Sequence, residues 1–172
     1  MKRLVICLFV ALVAMSIKAQ QNLYVGGTLS IWGEDNATSF NITPEVGYHF
    51  NDKWAVGGLL IYSHTKSNGV KANAFALAPY ARYTFFEADQ LSLFVDGGFG
   101  FSTVGVKGSD NVNGFEVGFK PGISFAVTDH FSLLAKIGFL GYRDSYLSNS
   151  DSSGGGLSLS SSDLSFGFYY TF

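Results

Sequence analysis

The sequence divides into segments of about ten residues in which apolar and small or polar side chains alternate. Between Leu164 and Phe172, for example, every second residue is Leu, Phe or Tyr, and the residues between them include Ser, Gly and Thr. Successive side chains of a strand point to opposite faces, so each segment has one apolar face. Eight such segments can be marked: Leu23–Trp32, Phe40–Phe50, Trp54–Ser63, Ala74–Phe85, Leu91–Phe101, Gly114–Val127, Phe131–Tyr142 and Leu157–Phe172.

The composition favours strands over helices. The chain has 21 glycines, three prolines and 16% aromatic residues, and glycine and aromatic residues are poor helix formers. No stretch after residue 19 reaches the roughly 18 continuous apolar residues of a transmembrane helix. In lipid, only helices and closed barrels pair every backbone polar group. The pattern therefore predicts an all-β fold, an eight-stranded antiparallel up-and-down transmembrane β-barrel.

The N-terminal residues have the pattern of a secretory signal peptide. Lys2 and Arg3 precede an apolar run from Leu4 to Met15, and Ala19 provides a small residue for cleavage. The run is shorter than the about 20 residues that a membrane-spanning helix needs. We therefore predict a signal peptide over residues 1–19 and a single β-barrel domain over residues 20–172. Cys7 lies in the signal, so the mature chain would have no thiol and no disulfide.

The charge balance and residue spacings exclude several classes of function. Without residues 1–19 the chain has eight basic and thirteen acidic residues, whereas nucleic-acid binding needs clustered Lys and Arg. No spacing of His, Asp and Glu matches a metal site. Glycine pairs such as Gly26-Gly27 fall inside strands, where they suit barrel curvature better than phosphate binding. We expect no nucleic-acid partner, no metal and no cofactor.

The connections between the segments alternate in length. Those after the second, fourth and sixth segments are short, whereas four are longer: Gly33–Ser39, His64–Asn73, Ser102–Asn113 and Arg143–Gly156. Outer-membrane barrels have short periplasmic turns and longer external loops. We therefore expect four external loops. The sequence identifies no partner for them.

Charged residues gather on the face opposite the apolar one. An eight-stranded barrel is only wide enough to be filled by side chains, so the alternation predicts a roughly neutral interior plug of ion pairs. Its predicted charged members are Glu45, Arg82, Asp96, Glu116, Lys120 and Lys136, with Tyr24, Tyr80, Tyr142 and Tyr169 around them. The alternative is that these charges line a pore or a proton path. Leu59 and Ile61 blur the alternation of the third segment and leave its facing open.

Ser63 and His64 are the pair best placed for catalysis, near the external end of the third segment. His49 and His130 lie close to short turns. Acyl transfer would need a base that a third group orients, and no acidic residue stands beside this pair. Adjacent strand residues also point to opposite faces. We therefore predict that the chain is not an enzyme, with lipid A modification as the alternative.

The C-terminal strand carries a resemblance to a known family. Ser165, Gly167, Tyr170 and Phe172 meet the pattern polar, any, Gly, any, any, hydrophobic, any, aromatic. With the eight alternating segments, this pattern resembles the small eight-stranded outer-membrane β-barrel proteins of Gram-negative bacteria, which include the OmpA membrane domain, OmpX and OmpW-like proteins. The chain is most similar to the Bacteroidetes-type outer membrane protein beta-barrel domain. The resemblance implies a cell outer membrane location, contact with outer-membrane lipid, and recognition by periplasmic chaperones and the barrel-assembly machinery.

These observations favour one function over two alternatives. We expect a non-enzymatic outer-membrane barrel with a structural or surface-interaction role through its external loops. A narrow channel or transporter for small or hydrophobic solutes is the alternative. A soluble periplasmic barrel is the second alternative, in which protein instead of lipid would cover the apolar faces.

Overall fold

A computed structural model describes residues 22–34, 37–67, 70–106, 108, 110–148, 152–159 and 164–172. The predicted signal peptide, residues 1–19, lies outside this part of the chain. No helix in these ranges is long and apolar enough to cross a membrane. The strands in these ranges are β1 (Leu23–Glu34), β2 (Ala37–His49), β3 (Trp54–Ser67), β4 (Val70–Ala88), β5 (Leu91–Val106), β6 (Val112–Ala126), β7 (Phe131–Lys136), β8 (Phe139–Asp144), β9 (Ser153–Ser158) and β10 (Ser165–Thr171).

These strands form one closed antiparallel barrel. Each of β1 to β5 pairs with the next strand in sequence. β7 and β8 both pair with β6 and together form the seventh barrel strand. β10 and β9 pair with β7 and β8 and form the eighth. β10 also pairs with β1, with Val25 opposite Tyr170, and closes the barrel. The predicted all-β, eight-stranded antiparallel barrel is confirmed.

One end of the barrel has short turns and both ends of the described chain. The turns occupy residues 50–53, 89–90 and 127–130. In the first, the Asn51 side-chain oxygen accepts hydrogen bonds from the backbone N–H groups of Lys53 and Trp54, both at 2.9 Å. Such a local bond replaces the strand pairing that the turn interrupts. We call this end the turn end and the opposite end the rim end.

The outer face of the barrel is apolar over most of its height. On β6, for example, Phe115, Val117 and Phe119 are exposed, while Glu116 between them is buried. Large exposed apolar groups recur in the same way on the other strands. A water-soluble monomer does not expose an apolar surface of this extent. The outer face is therefore suited to contact with lipid.

The strands continue well beyond this apolar surface at the rim end. β4 has 19 residues, about twice the 9–11 that cross a bilayer. In the β3–β4 hairpin, pairing continues from Tyr62 opposite Phe75 to Lys66 opposite Lys71. The prediction of four long loops is therefore wrong in extent, because much of Gly33–Ser39, His64–Asn73 and Ser102–Asn113 is strand. Strand pairing is a backbone property, and it persists where apolar alternation ends.

The facing of β3, which the sequence left open, follows from its exposures. Ala55 is buried, whereas Val56 and Tyr62 are exposed. Leu59 and Ile61 line the lumen together with Ser63. Odd-numbered residues of β3 therefore face inward, and the two side chains that blurred the pattern form an apolar part of the lumen wall.

A bulge at Ile137–Gly138 divides the seventh barrel strand and shifts its alternation. Lys136 before the bulge and Phe139 after it are both buried, and Gly138 has a φ of 76°. Tyr142, which was predicted to face inward, lies outside and contacts Phe115 with 5.8 Å between ring centroids. That prediction is wrong, because one extra residue in a strand moves every later side chain to the opposite face.

Gly138→Ala is expected to lower the free energy of unfolding by about 1–2 kcal/mol, because L side chains disfavour a left-handed backbone conformation. An added Cβ would also lie 2.6 Å from the Leu159 side chain and the Ser158 carbonyl oxygen. The measurement is urea unfolding in detergent. Gly154→Ala is the matched control, since its Cβ would meet nothing within 4 Å. Equal effects of the two changes would contradict the strained bulge.

Candidate functional site

Four charged side chains from four strands meet inside the lumen near the turn end. Arg82 on β4 donates from Nε and Nη2 to the two carboxylate oxygens of Asp96 on β5, at 2.7 and 2.9 Å. Its Nη2 also lies 3.2 Å from Glu45 on β2. Lys136 on β7 contacts Asp96 at 3.0 Å and Glu45 at 3.5 Å. Two acids and two bases thus compensate one another, and all four are buried.

Aromatic side chains close the space around these charges. The Tyr24 and Tyr80 hydroxyl oxygens are 2.6 Å apart, and Tyr80 donates to Glu45. The Arg82 guanidinium carbon lies 4.0 Å from the centre of the Phe94 ring, a cation–π contact. Tyr24 and Phe94 are almost completely buried. We call this set the plug: Tyr24, Glu45, Tyr80, Arg82, Phe94, Asp96 and Lys136.

A second charged cluster lies farther toward the rim end. The buried carboxylate of Glu116 on β6 accepts hydrogen bonds from Lys120 and, at 3.0 Å, from Arg143 Nε on β8. Its two cations are partly exposed, with 27% of the Lys120 and 36% of the Arg143 side chain accessible. Within the described residues, no ion pair joins this cluster to the plug. The structure thus brings together four of the six charges predicted for one plug and places Glu116 and Lys120 elsewhere.

Arg143 was missed by the sequence analysis. The sequence pattern places it in an external loop, and without the bulge its side chain would point outward. The signal that could have placed it is Gly138, since glycine inside a strand pattern often marks a bulge. Arg143 also lies 3.8 Å from the ring centre of the buried Phe139, which holds its guanidinium against the lumen wall.

The connection after β8 folds back into the lumen. The Leu147 backbone N–H donates to the Ser102 hydroxyl at 2.9 Å. The Tyr146 hydroxyl occupies space beside Gly100, where an added Cβ would lie 2.7 Å from it. Ser145 and Leu147 have φ values of 51° and 52°, so the backbone turns sharply at both positions. This connection narrows the rim end on one side.

A cavity of about 710 Å³ occupies the lumen above the plug. Glu45 and Lys136 form part of its floor, and Lys120 and Arg143 lie on its wall. Its volume is within the range of small-molecule sites, about 300–1,000 Å³. The predicted assembly residues Ser165 and Gly167 on β10 also line it.

The other two predicted assembly residues lie at the turn end. Tyr170 is exposed, and its ring centre is 5.1 Å from that of Phe172 and 5.6 Å from that of His130. The Phe172 N–H donates to the Leu23 carbonyl oxygen at 3.0 Å. The four residues of the predicted pattern are therefore divided between the cavity and the turn end.

The Ser63–His64 pair is separated by the wall of the barrel. Ser63 lines the cavity, whereas His64 Nδ1 lies 2.7 Å from the side-chain oxygen of Asn73. A base that does not share a face with the hydroxyl cannot activate it. The described part of the chain also contains no group of three or more His, Cys, Asp and Glu residues that could hold a metal ion.

Solved structures with a similar fold are small outer-membrane barrels. Neisserial surface protein A is 18% identical and covers 87% of this chain and 97% of its own, with a TM-score of 0.57. The N-terminal β-barrel domain of Pseudomonas aeruginosa OprF is 15% identical and covers 89% and 98%, with a TM-score of 0.53. The Yersinia pestis outer membrane protein Ail is 16% identical and covers 89% and 100%, also with 0.53. At these identities the likeness concerns the fold.

A search of the curated proteins found no match. The family of the outer membrane protein beta-barrel domain, however, matches residues 5–172. Its match agrees with the closed barrel and the apolar outer face. The chain therefore belongs to the outer membrane protein beta-barrel domain family.

Proposed function

We propose that the protein is a non-enzymatic, non-conducting barrel of the outer membrane with a structural or surface-interaction role through its rim end. The plug is the observation that carries this proposal. Its four charges are compensated across four strands, and Tyr24 and Phe94 fill the space around them. An ion would have to displace buried, mutually paired groups to pass, and breaking such pairs costs several kcal/mol.

The orientation of the barrel supports a role at the cell surface. In barrels of this kind, the end with short turns and both chain ends faces the periplasm. The rim end would then extend outward, and the paired, exposed Lys66 and Lys71 would stand beyond the apolar surface. One protein of similar fold is named as a Neisserial surface protein.

The proposal includes a route to the membrane. Residues 1–19 would direct secretion and be removed, and outer-membrane lipid would cover the apolar outer face. Tyr170 and Phe172 would be read by the barrel-assembly machinery after passage with periplasmic chaperones. Their position at the turn end is consistent with this role, because that end would face the periplasm.

We propose the absence of enzymatic activity from the geometry of the candidate catalytic pair, Ser63 and His64. Ser63 faces the cavity and His64 bonds to Asn73, so the pair cannot act as nucleophile and base on one substrate. Lipid A modification by these two residues is therefore not favoured.

Planar-bilayer recordings are expected to show no reproducible unitary conductance for the folded barrel, because the plug closes the turn end. Insertion is verified by an unboiled gel shift of reconstituted vesicles, and a large general porin provides the positive control. Reproducible current steps would instead favour the narrow channel and would overturn the plugged-barrel proposal.

A further inference from the structure

The outer face of the β3–β4 hairpin changes in polarity from the turn end to the rim end. Trp54 pairs with Tyr83 near the turn end, with 4.7 Å between their ring centres, and Tyr62 pairs with Phe75 nearer the rim end. Between these two aromatic pairs, the outward-facing cross-strand pairs contain only apolar residues, glycine and proline. Aromatic side chains mark the two membrane interfaces of a barrel. The hairpin therefore indicates where the hydrocarbon layer begins and ends.

The outer face continues past the second aromatic pair with polar and then charged residues. His64 pairs with Asn73, and Lys66 pairs with Lys71. At about 3.4 Å per residue and a strand tilt of about 40°, Lys66 lies about 10 Å beyond Tyr62 along the membrane normal. The headgroup layer extends roughly 5–8 Å beyond the hydrocarbon, and lysine side chains reach back toward an interface. The two ammonium groups are therefore at the level of the lipid headgroups.

Lys66 and Lys71 are two like charges on one face of the hairpin. Their Cα atoms are direct cross-strand partners, and both residues are exposed. Within the described part of the chain, neither lysine is in an ion pair. Like charges directly opposite each other destabilise a strand pair. An anion between the two ammonium groups would remove this repulsion.

A hydrogen-bonded network lies directly below the lysines on the same face. The Asn73 side-chain oxygen lies 2.7 Å from His64 Nδ1 and accepts a hydrogen bond of 3.5 Å from the Tyr62 hydroxyl. These contacts link β3 to β4 through their side chains as well as their backbones. The lysine pair thus follows a cross-linked part of the hairpin, which keeps the two cations at one height.

The opposite end of the barrel has the opposite charge. The exposed acidic and basic side chains of residues 50–53, 87–90 and 127–130 are four acids and one lysine: Asp52, Glu87, Asp89, Asp129 and Lys53. Like charges repel, so an anionic headgroup is disfavoured at the turn end. The two interfaces of the barrel therefore differ, and the lysine pair marks the one that favours an anionic lipid.

We propose that Lys66 and Lys71 together bind the phosphate monoester of a lipid in the outer leaflet. A phosphate monoester carries a charge of about −1.5 to −2 at pH 7 and three acceptor oxygens. Two ammonium groups on one face match this charge, and each donates charge-assisted hydrogen bonds to the oxygens. The acyl chains of the same lipid lie against Tyr62 and Phe75 below. The inference rests on the proposed function, since it uses the proposed location and orientation of the barrel, and it names a headgroup that the rim end contacts.

The test is native mass spectrometry of the barrel released from phosphatidylcholine nanodiscs that contain equal amounts of phosphatidic acid and phosphatidylglycerol. We expect one bound phosphatidic acid to be retained about fivefold more often than phosphatidylglycerol, a phosphodiester with less charge. Changing both lysines, Lys66→Gln with Lys71→Gln, should reduce the retained phosphatidic acid by about fivefold or more, because both charge-assisted donors are lost. Lys66→Arg with Lys71→Arg should retain the lipid, because both cations remain.

Lys53→Gln is the matched control, since it removes the same charge from an exposed position at the turn end, next to Asp52. It should leave the retained phosphatidic acid unchanged. An unboiled gel shift verifies that each variant is folded. The proposal is overturned if the double Gln variant retains phosphatidic acid as the parent does, if phosphatidylglycerol is retained equally well, or if Lys53→Gln causes the same loss.

The outcome is separable from that of the proposed function, because both leaflets of a nanodisc contain the anionic lipid and the orientation in the cell does not affect it. Unitary conductance would contradict the plugged barrel, and recovery outside the outer membrane would contradict its location, while lysine-dependent retention would still support the headgroup site. Retention that does not depend on the lysines, in a non-conducting outer-membrane barrel, would refute the headgroup site alone.

Discussion

Arg82→Ala is expected to lower the free energy of unfolding by about 3–5 kcal/mol, the usual cost of removing one partner from a buried ion pair. Arg82 contacts both carboxylates of the plug and donates two hydrogen bonds to Asp96, and it is 2% exposed. Without it, Asp96 and Glu45 keep only Lys136 as a cation, so one negative charge is left uncompensated in a closed space. The side-chain volume above the Phe94 ring is lost as well.

The measurement is the temperature at which the unboiled barrel loses its faster gel mobility in detergent, together with urea unfolding. Lys71→Ala is the matched control, because Lys71 is a cation at an exposed position of the same strand. Exposed charges contribute about 0–1 kcal/mol. Arg82→Lys should recover part of the loss, since a lysine restores the charge but not the two-pronged contact with Asp96. Equal stability of the Arg82→Ala and Lys71→Ala variants would refute the plug as a stabilising element.

Gly26→Ala is expected to prevent most of the protein from closing into a barrel. Gly26 lies on β1 opposite Tyr169 of β10, in the pairing that joins the two ends of the sheet. An added Cβ would lie 2.1 Å from the Phe168 carbonyl oxygen and 2.6 Å from the Tyr169 Cβ. Backbone atoms cannot move aside by a side-chain rotation, so the β1–β10 pairing, the seam of the barrel, would have to separate. An open seam leaves unpaired backbone groups in lipid, at several kcal/mol each.

The seam prediction is measured as the fraction of protein that folds into detergent micelles or vesicles and becomes resistant to protease. Gly58→Ala is the matched control, because it is the same substitution within β3 and its added Cβ meets nothing within 4 Å. The control should fold as the parent does. A normal folded fraction for Gly26→Ala would show that the β1–β10 seam accommodates a side chain.

The two predictions concern different properties of the barrel, namely the closure of the sheet during folding and the stability of the folded barrel. Gly26 acts where the sheet closes, so its substitution should reduce the yield of folded protein. Arg82 acts inside the finished barrel, so its substitution should leave a folded product that melts earlier. Folding yield and melting temperature, measured on both variants, separate these effects.

Most of the fold was predictable because it depends on local alternation. Apolar residues at every second position identify strands and assign each side chain to a face, and the facing of β4, β5 and β6 follows directly from this rule. The height of Glu45, Arg82, Asp96 and Lys136 above the short turns could also be counted from the sequence. The structure brings these four side chains within ion-pairing distance.

The predictions failed where a side chain's position depends on backbone irregularity or on pairing outside the lipid. The bulge at Ile137–Gly138 reverses the facing of Arg143 and Tyr142, and a single φ of 76° is not visible in a hydropathy pattern. The strand extensions at the rim end were missed because their polar side chains carry no alternation. Backbone hydrogen bonds nevertheless hold Lys66 opposite Lys71 there.

By itself, the sequence determined the barrel, its strand number and its apolar outer face, because each follows from a repeated preference of neighbouring residues. Only the tertiary structure decided how the lumen is divided. Residues far apart in sequence, such as Glu116 and Arg143, meet there because closure brings their strands together and a bulge turns one of them inward. The separation into a neutral plug and a second charged cluster beside the cavity is therefore a property of the closed barrel, since no local pattern encodes the distance between strands.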